Sequence, residues 1–311
     1  MTATDAATAT DTARSSDRAP RDAATRHDRP TVGLALEGGG FRGLYTAGVL
    51  DVWMEQGIRI DHAVGVSAGA AFGCNLKSHQ IGRAIRYNKR FAGDKRYAGL
   101  GNLIRTGDLF SREFAYGEVP WRLDPFDSAA FAADPMRFTV VCTDVRTGEP
   151  VYHDLQRGGV EDIEWIRASA SIPALSRPVA LAGRELLDGG VADSIPVSWM
   201  AAQGHDRLIV VLTQPAGYRK EKNRLMPALR LALRRYPRLV AELADRHVRY
   251  NRTLDELAEL ERAGAVLVIR PSEPVTVPVS LKDPAIMERI YQVGRADARA
   301  TLSRVRAYTL Q

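Results

Sequence analysis

A serine between two glycines, Gly65-Val66-Ser67-Ala68-Gly69, is the feature that most restricts how this chain can fold. An apolar run precedes the serine and a run of small residues follows it as far as Gly73. This context predicts a strand, a tight turn and a helix, which is the arrangement of a nucleophile elbow. The helix would point its free N–H groups, and the positive end of its dipole, toward the serine hydroxyl. Because the pattern also occurs in ordinary loops, the rest of the chain has to support it.

Composition separates a polar start from the rest of the 311 residues. Residues 1–30 contain no apolar residue except alanine and Met1. Such a segment cannot bury enough surface to offset its ordering entropy, so a disordered N-terminal tail is predicted. It lacks the apolar stretch of a signal peptide, and its five aspartates argue against a transit peptide.

Charge and cysteine content predict a cytoplasmic protein with a basic surface. No run approaches the roughly 18 apolar residues of a spanning helix. Cys74 and Cys142 fall in predicted core elements, which suits buried thiols in a reducing compartment. The net charge is +6, and residues 219–252 are dense in Arg and Lys. That segment is either a contact for anionic headgroups at the inner face of the membrane or the solvated face of a long helix; nucleic acid is not expected as a partner. No His, Cys or carboxylate cluster has metal-ligand spacing, so no metal or cofactor is predicted.

A second glycine-rich turn follows the first predicted strand. As Gly38-x-Gly40-x-x-Gly43 it matches the dinucleotide-binding fingerprint, and Asp61 lies near the distance expected for a ribose-binding acid. That acid should follow the second strand, however, and the residue that follows it is Ser67. The other interpretation is an oxyanion loop, in which consecutive glycine N–H groups point at one spot. Two such turns after consecutive strands favour acyl transfer, with nucleotide binding as the alternative.

Strands and helices alternate along the whole chain, which predicts an α/β fold with a mostly parallel sheet covered on both faces. Asp188-Gly189-Gly190 follows a short strand predicted at 184–187 and would place its carboxylate at the edge of the sheet where Ser67 lies. Alone, the same tripeptide is an ordinary turn. A hairpin is predicted at 137–153, and helices at 224–263 are split near Pro237. The region 87–134 is either a cover over the site or a connecting subdomain.

These motifs together resemble the patatin-like phospholipases. The glycine loop, the elbow, the block Ala168-Ser169-Ala170-Ser171-Ile172-Pro173 with Arg177-Pro178-Val179, and Asp188-Gly189-Gly190 occur in that family's order. The likeness runs from about Val32 to Thr213, and the C-terminal part looks like the bacterial members. It implies a three-layer α/β/α patatin-like sandwich with a catalytic core at 31–215 and a basic helical extension at 216–311 that completes the fold.

The resemblance implies a Ser–Asp dyad that hydrolyses lipid esters through an acyl-enzyme. Carried over by position, Ser67 is the nucleophile and Asp188 its general base. The residues implied for the oxyanion hole are Gly38, Gly39, Gly40 and Arg42. The glycines implied to support the dyad are Gly65, Gly69, Gly189 and Gly190. Phospholipids or lysophospholipids would be the substrates, and no cofactor is implied.

Two further alternatives stay open. A histidine could be the base, in the order Ser-Asp-His, and His205 and His247 both follow Asp188. The chain could also be a catalytically silent protein whose basic helices bind a membrane or a partner. Headgroup, acyl-chain length and oligomeric state are not predicted.

Overall fold

The computed structural model describes residues 29–277 and 282–310, so the predicted tail lies almost entirely outside the described residues. Eight strands form one sheet in the order β5-β6-β3-β2-β1-β7-β8, and β4 pairs with β3 beside this path. The strands are β1 Val32–Leu36, β2 His62–Val66, β3 Arg137–Asp144, β4 Pro150–Leu155, β5 Val179–Leu181, β6 Arg184–Asp188, β7 Arg207–Val211 and β8 Leu267–Ile269.

Helices connect the strands and cover the sheet. They are α1 Gly43–Glu55, α2 Ala68–Lys77, α3 Arg83–Phe91, α4 Leu100–Thr106, α5 Ser128–Ala133, α6 Val160–Ser169, α7 Val197–Ala201, α8 Met226–Ala232, α9 Pro237–Arg262 and α10 Pro284–Leu310. A π-helix spans Phe114–Leu123, and 3₁₀ turns lie at Gly40–Arg42 and Gly189–Val191. The helix break near Pro237 is confirmed, since proline at the first helical position lacks only an N–H that would have no intrahelical partner.

The sheet is mixed. Strands β3, β2, β1, β7 and β8 run parallel, whereas β4 and β6 both run antiparallel to β3. The hairpin of β3 and β4 is confirmed. The expectation that the strand before Asp188 runs parallel to its neighbour in the sheet is wrong, because β6 runs antiparallel to β3. Because β6 is the second arm of a tight hairpin with β5, it enters the sheet from the opposite direction.

Register, rather than a shared strand direction, brings the aspartate to the serine. Asp188 pairs with Cys142 on β3, and the neighbouring Val141 pairs with Val66, the last residue of β2. Ser67 follows directly. The carboxylate therefore arrives level with the carboxyl end of β2, although its own strand points the other way.

Alternate residues of the strands belong to apolar clusters on opposite faces, which confirms the three-layer α/β/α fold. Leu34 and Leu36 of β1 join the cluster that holds α1, α2, α6 and α10. Ala35 joins the cluster that holds α7 and part of α9. On β6, Leu186 lies in the first cluster, and Leu187 packs with α8 and the start of α9.

The C-terminal helices pack directly on the core. A Cβ on Gly48 of α1 would lie 2.2 Å from the carbonyl oxygen of Tyr291, and one on Gly294 would lie 2.1 Å from that of Tyr45. Glycine on both helices therefore lets the backbones of α1 and α10 touch. Within the residues described, no helix is long and apolar enough to cross a membrane.

Candidate active site

Ser67 occupies a strained turn between β2 and α2. Its φ of 53° and ψ of −115° are unusual for a residue with a side chain and cost about 1–3 kcal/mol. The N–H of Ser67 donates to Oγ of Ser169 at 2.9 Å, and Ser169 donates to the carbonyl of Val141 at 2.6 Å. This fully buried relay holds the turn against its strain, and Ser169 was not predicted as a site residue.

Close packing explains the two glycines of the elbow. A Cβ on Gly65 would lie 2.5 Å from the carbonyl oxygen of Gly69. A Cβ on Gly69 would lie 2.6 Å from the carbonyl oxygen of Leu36, at the end of the neighbouring strand. Both distances are far below contact distance, so any larger residue would push the elbow away from the sheet.

Ser67 and Asp188 are joined by a short hydrogen bond. Oγ of Ser67 donates to Oδ2 of Asp188 at 2.6 Å, and the N–H of Gly190 donates to Oδ1 at 2.8 Å. The carbonyl of Asp188 accepts from Oγ1 of Thr143 at 2.8 Å. A Cβ on Gly189 would lie 2.1 Å from the carbonyl oxygen of Val141, so the turn after the aspartate also needs glycine.

Burial sets the electrostatics of this pair. Ser67 is 8% and Asp188 7% exposed. Burial raises the pKa of Asp188, while the Ser67 hydrogen bond, the positive charge of Arg246 and the Gly190 N–H partly offset that rise. A carboxylate with a raised pKa is a stronger base, which suits an aspartate that must accept a proton from an alcohol. Arg246 lies on α9, and no motif in the sequence indicated it.

The glycine loop lies beside the elbow, and its N–H groups differ in availability. The N–H of Gly38 donates to the carbonyl of Ser194 at 3.3 Å. The N–H groups of Gly39 and Gly40 donate to no acceptor among residues 29–277 and 282–310. Gly40 has a φ of 55°, in the left-handed region that favours glycine. Nε of Arg42 is buried without a partner in the same part of the chain. Within the predicted oxyanion set, Gly39, Gly40 and Arg42 are therefore the residues whose donors have no other partner in this part of the chain.

A buried carboxylate ties this loop to the C-terminal helices. Glu37, directly before Gly38, is almost fully buried, and its Oε1 accepts from the hydroxyl of Tyr250 on α9 at 2.6 Å. Its Oε2 accepts from the N–H of Thr213 at 2.6 Å. Burial and the Glu37 carboxylate raise the pKa of Tyr250, so the hydroxyl keeps its proton. The spacing of apolar residues along α9 predicts that one face is buried, but nothing in the sequence links Tyr250 to Glu37.

An apolar cavity of about 120 Å³ opens beside the serine. Its wall contains Ser67 together with aromatic and aliphatic side chains from α2, α3, α6 and the π-helix. The region 87–134 contributes much of that wall, from Tyr87 to Phe126, so it covers the site. Cys74 also lines the cavity, where burial raises its thiol pKa to about 12. A thiol with that pKa is not a nucleophile at neutral pH.

The residues of the alternative mechanisms lie elsewhere. Nε2 of His205 faces Nδ1 of His62 at 3.1 Å, at the start of β2 and therefore about 16 Å from Ser67. The ring of His247 hydrogen-bonds to the carbonyl of Ala244. Asp61 accepts from the N–H of Val32 at 2.7 Å, at the end of β1 opposite the glycine loop. In the described part of the chain, then, no histidine hydrogen-bonds to the dyad, and Asp61 lies at the opposite end of β1 from the glycine loop.

Comparison with protein families settles the relationship. A family model described as patatin-like phospholipase matches residues 34–200, more than half of the chain. The chain belongs to the patatin-like phospholipase family. This confirms the resemblance, and the matched range contains the glycine loop, the elbow and the aspartate turn. A second model, for a domain of unknown function (DUF6363), matches residues 236–309, which include Tyr250 and Arg246.

Similar proteins include the uncharacterized protein YjjU of Escherichia coli, 34% identical over 193 residues, which are 60% of this chain and 52% of YjjU. The Lysophospholipase NTE1 of Scheffersomyces stipitis is 29% identical over 187 residues, 58% of this chain and 11% of that protein. The chain thus spans about half of the first relative and a tenth of the second. VipD from Legionella pneumophila matches in structure with a TM-score of 0.46 and 13% identity over 88% of this chain and 67% of VipD.

Proposed function

We propose that this protein hydrolyses the carboxylic ester of a phospholipid or lysophospholipid, with Ser67 as nucleophile and Asp188 as general base. The observation that carries the proposal is the 2.6 Å hydrogen bond between these side chains, on a strained turn in the wall of an apolar cavity. A serine beside a base and an apolar pocket suits transfer of a fatty acyl group. Family membership and the similarity to lysophospholipases support the same class of reaction.

In the first half-reaction, Oγ of Ser67 attacks the ester carbonyl carbon while its proton passes to Oδ2 of Asp188. The carbonyl oxygen takes up the negative charge. In this proposal the N–H groups of Gly39 and Gly40, the Arg42 side chain and the N-terminus of α2 stabilise that charge. The bond from carbonyl carbon to alcohol oxygen then breaks, and Asp188 returns the proton to that oxygen. The products are a free alcohol and an acyl ester on Ser67.

In the second half-reaction, water attacks the acyl carbon and gives its proton to Asp188. The bond from carbon to Oγ of Ser67 breaks, the serine oxygen recovers the proton, and the fatty acid leaves. The same carboxylate therefore acts as base and then as acid twice. Burial supports both roles, because it raises the pKa of Asp188 from its ordinary value.

Peripheral contact with an anionic membrane and a cytoplasmic location belong to the same proposal. Both cysteines are free and buried, which suits a reducing compartment. The arginines of the basic segment 219–252 fall into two groups, one that contacts the protein and one that is exposed. Arg246 and Arg249 point toward the turn after Asp188, where they hydrogen-bond to Ser194 and Val191. Exposed arginines on and after α8 have no carboxylate partner among the described residues and remain available for headgroups: Arg230, Arg234 and Arg235.

The test is release of fatty acid from defined phospholipids, lysophospholipids and a soluble short-chain ester. We expect wild type to release acid and Ser67→Ala to lose turnover by a factor of about 10³ or more. Asp188→Asn should lose nearly as much, because the amide cannot accept the serine proton. Ser198→Ala, an exposed serine on α7, is the matched control and should keep full activity. Folded wild type that hydrolyses none of these esters refutes the proposal.

A further inference from the structure

Residues 98–109 form a segment, here called the flap, between two residues of the cavity wall, Tyr97 and Phe110. A backbone bridge between Ala98 and Phe110 closes its base. The side chains of Tyr97 and Phe110, on either side of that base, line the same cavity as Ser67. The short helix α4 lies within the flap. The flap therefore stands directly beside the space where an acyl chain would enter.

The two faces of α4 differ sharply. Asn102 is buried and donates from Nδ2 to the carbonyls of Lys95 and Arg96 at 3.1 and 3.3 Å, which anchors the inner face. Leu100 and Ile104 lie four residues apart on the opposite face and are 72% and 87% exposed. Residues at this spacing are neighbours on a helix surface. The outer face of the flap thus exposes two apolar side chains to solvent, while Asn102 anchors its inner face to the protein.

A second wall of the cavity repeats this pattern. The π-helix lines the cavity with Tyr116 and Val119, and its Trp121 is exposed. Tryptophan is enriched at the boundary between lipid tails and headgroups. The π-helix of the cavity wall and the flap next to that wall therefore both expose large apolar side chains.

Cations without a carboxylate partner lie on the flap and near it in the chain. Arg90, Lys95 and Arg105 are exposed, and in the described part of the chain none has a carboxylate oxygen within 4.0 Å. Cations without acidic partners next to exposed apolar side chains match a surface with anionic headgroups above an apolar interior. An interface with a protein partner would be expected to include directional polar contacts, and the exposed face of α4 presents few polar groups that could make them.

We propose that the flap, together with Trp121, is the face by which this protein docks on an anionic lipid bilayer. The inference rests on the proposed function, since docking there directs the cavity toward the lipids. Docking through α8 would not, because α8 packs on the face of β6 opposite to the cavity. The basic helices would then help to attract the protein to the membrane without inserting into it.

The experiment measures binding separately from catalysis. Full-length protein carrying Ser67→Ala, which leaves the lipid intact, is sedimented with vesicles of phosphatidylglycerol and phosphatidylcholine and with vesicles of phosphatidylcholine alone. The test variant adds Leu100→Ser and Ile104→Ser. The matched control adds Leu225→Ser and Leu231→Ser beside and on α8, where Leu231 is 70% exposed. In parallel, the same pairs are made with Ser67 intact and assayed on a soluble short-chain ester and on vesicle lipid.

We expect the flap variant to lose vesicle affinity by about tenfold or more, because the two exposed aliphatic side chains that would enter the bilayer are replaced by polar ones. Its activity on the soluble ester should match wild type while vesicle lipid is hydrolysed at least tenfold more slowly, and the α8 variant should behave as wild type in both. Unchanged binding of the flap variant, loss of binding in the α8 variant alone, or a wild type that ignores anionic vesicles overturns the proposal. A wild-type dimer that becomes a monomer in the flap variant would assign the flap to a second copy instead. If vesicles are bound through the flap but no ester is cleaved, the proposed function fails and the docking surface stands.

Discussion

Tyr250→Phe tests whether the C-terminal helices hold the oxyanion loop in place. The substitution removes the hydroxyl that donates to Glu37 at 2.6 Å and keeps the ring, which packs under the ammonium of Lys220 at 4.5 Å. Among the described residues, the almost fully buried Glu37 carboxylate then keeps one donor, the N–H of Thr213. A hydrogen bond to a charged group contributes about 1.5–3 kcal/mol, so we expect the free energy of unfolding to fall by about 2 kcal/mol.

Activity should fall as well, because Glu37 directly precedes the loop that receives the oxyanion. A shift of a few tenths of an ångström in Gly39 and Gly40 would weaken their contacts to the transition state. We expect kcat on a soluble ester to fall about tenfold with little change in KM. Urea denaturation followed by circular dichroism gives the stability, and initial rates give kcat and KM.

Tyr218→Phe is the matched control. Its ring packs edge-on against Tyr250 with 6.0 Å between centroids, and its hydroxyl has no hydrogen-bond partner among the described residues. It should leave both stability and kcat near wild type. If Tyr250→Phe behaves like this control, Glu37 does not depend on the hydroxyl. If stability falls but kcat does not, the bond supports the fold without positioning the loop.

Four further predictions concern the dyad, the turn that holds Ser67 and the cavity. Burial raises the folded-state pKa of Asp188, so its carboxylate destabilises the fold progressively as pH rises through that pKa. Asp188→Asn should therefore be more stable than wild type at neutral pH and equally stable in acid. Urea denaturation at several pH values measures this difference. Activity needs the same carboxylate, so the rate of wild type should rise with pH at values above the ordinary aspartate pKa of about 4, as a pH–rate profile would show. Ser169→Ala removes the acceptor of the buried Ser67 N–H and one donor to the Val141 carbonyl, and should cost about 1–3 kcal/mol of stability, measured by urea denaturation, with slower acylation. Ala71→Leu adds three carbon atoms to the cavity wall and should lower kcat/KM for long-chain esters more than for short ones; equal losses would show that acyl chains bind elsewhere.

The sequence alone predicts the elements that carry chemistry because local patterns define them. A glycine-flanked serine between an apolar run and small residues predicts a strand, turn and helix, and the structure has all three around Ser67. The prolines and the apolar spacing likewise locate the division between α8 and α9. These features depend on residues close together in the chain, where propensity and steric limits act directly.

The direction of β6 and the partners of Glu37 depend on contacts that no local pattern contains. The apolar pattern of a short strand is the same whether the strand pairs with its neighbour parallel or antiparallel. The hairpin of β5 and β6 determines the direction of β6. Tyr250 and Glu37 are 213 residues apart, and a tyrosine on the inner face of a helix predicts burial but no partner. For the same reason the sequence does not predict that residues between Tyr87 and Phe126 form a wall of the cavity. Their irregular helices pack against elements that are distant in sequence.

The most direct measurement of the central claim is intact mass after reaction with a fluorophosphonate, which reacts selectively with an activated serine. Wild type, Ser67→Ala and Asp188→Asn are compared, each shown to be folded. The dyad predicts one adduct on wild type, none on Ser67→Ala and almost none on Asp188→Asn. An adduct that persists in Ser67→Ala, or a folded wild type that stays unlabelled, would contradict it.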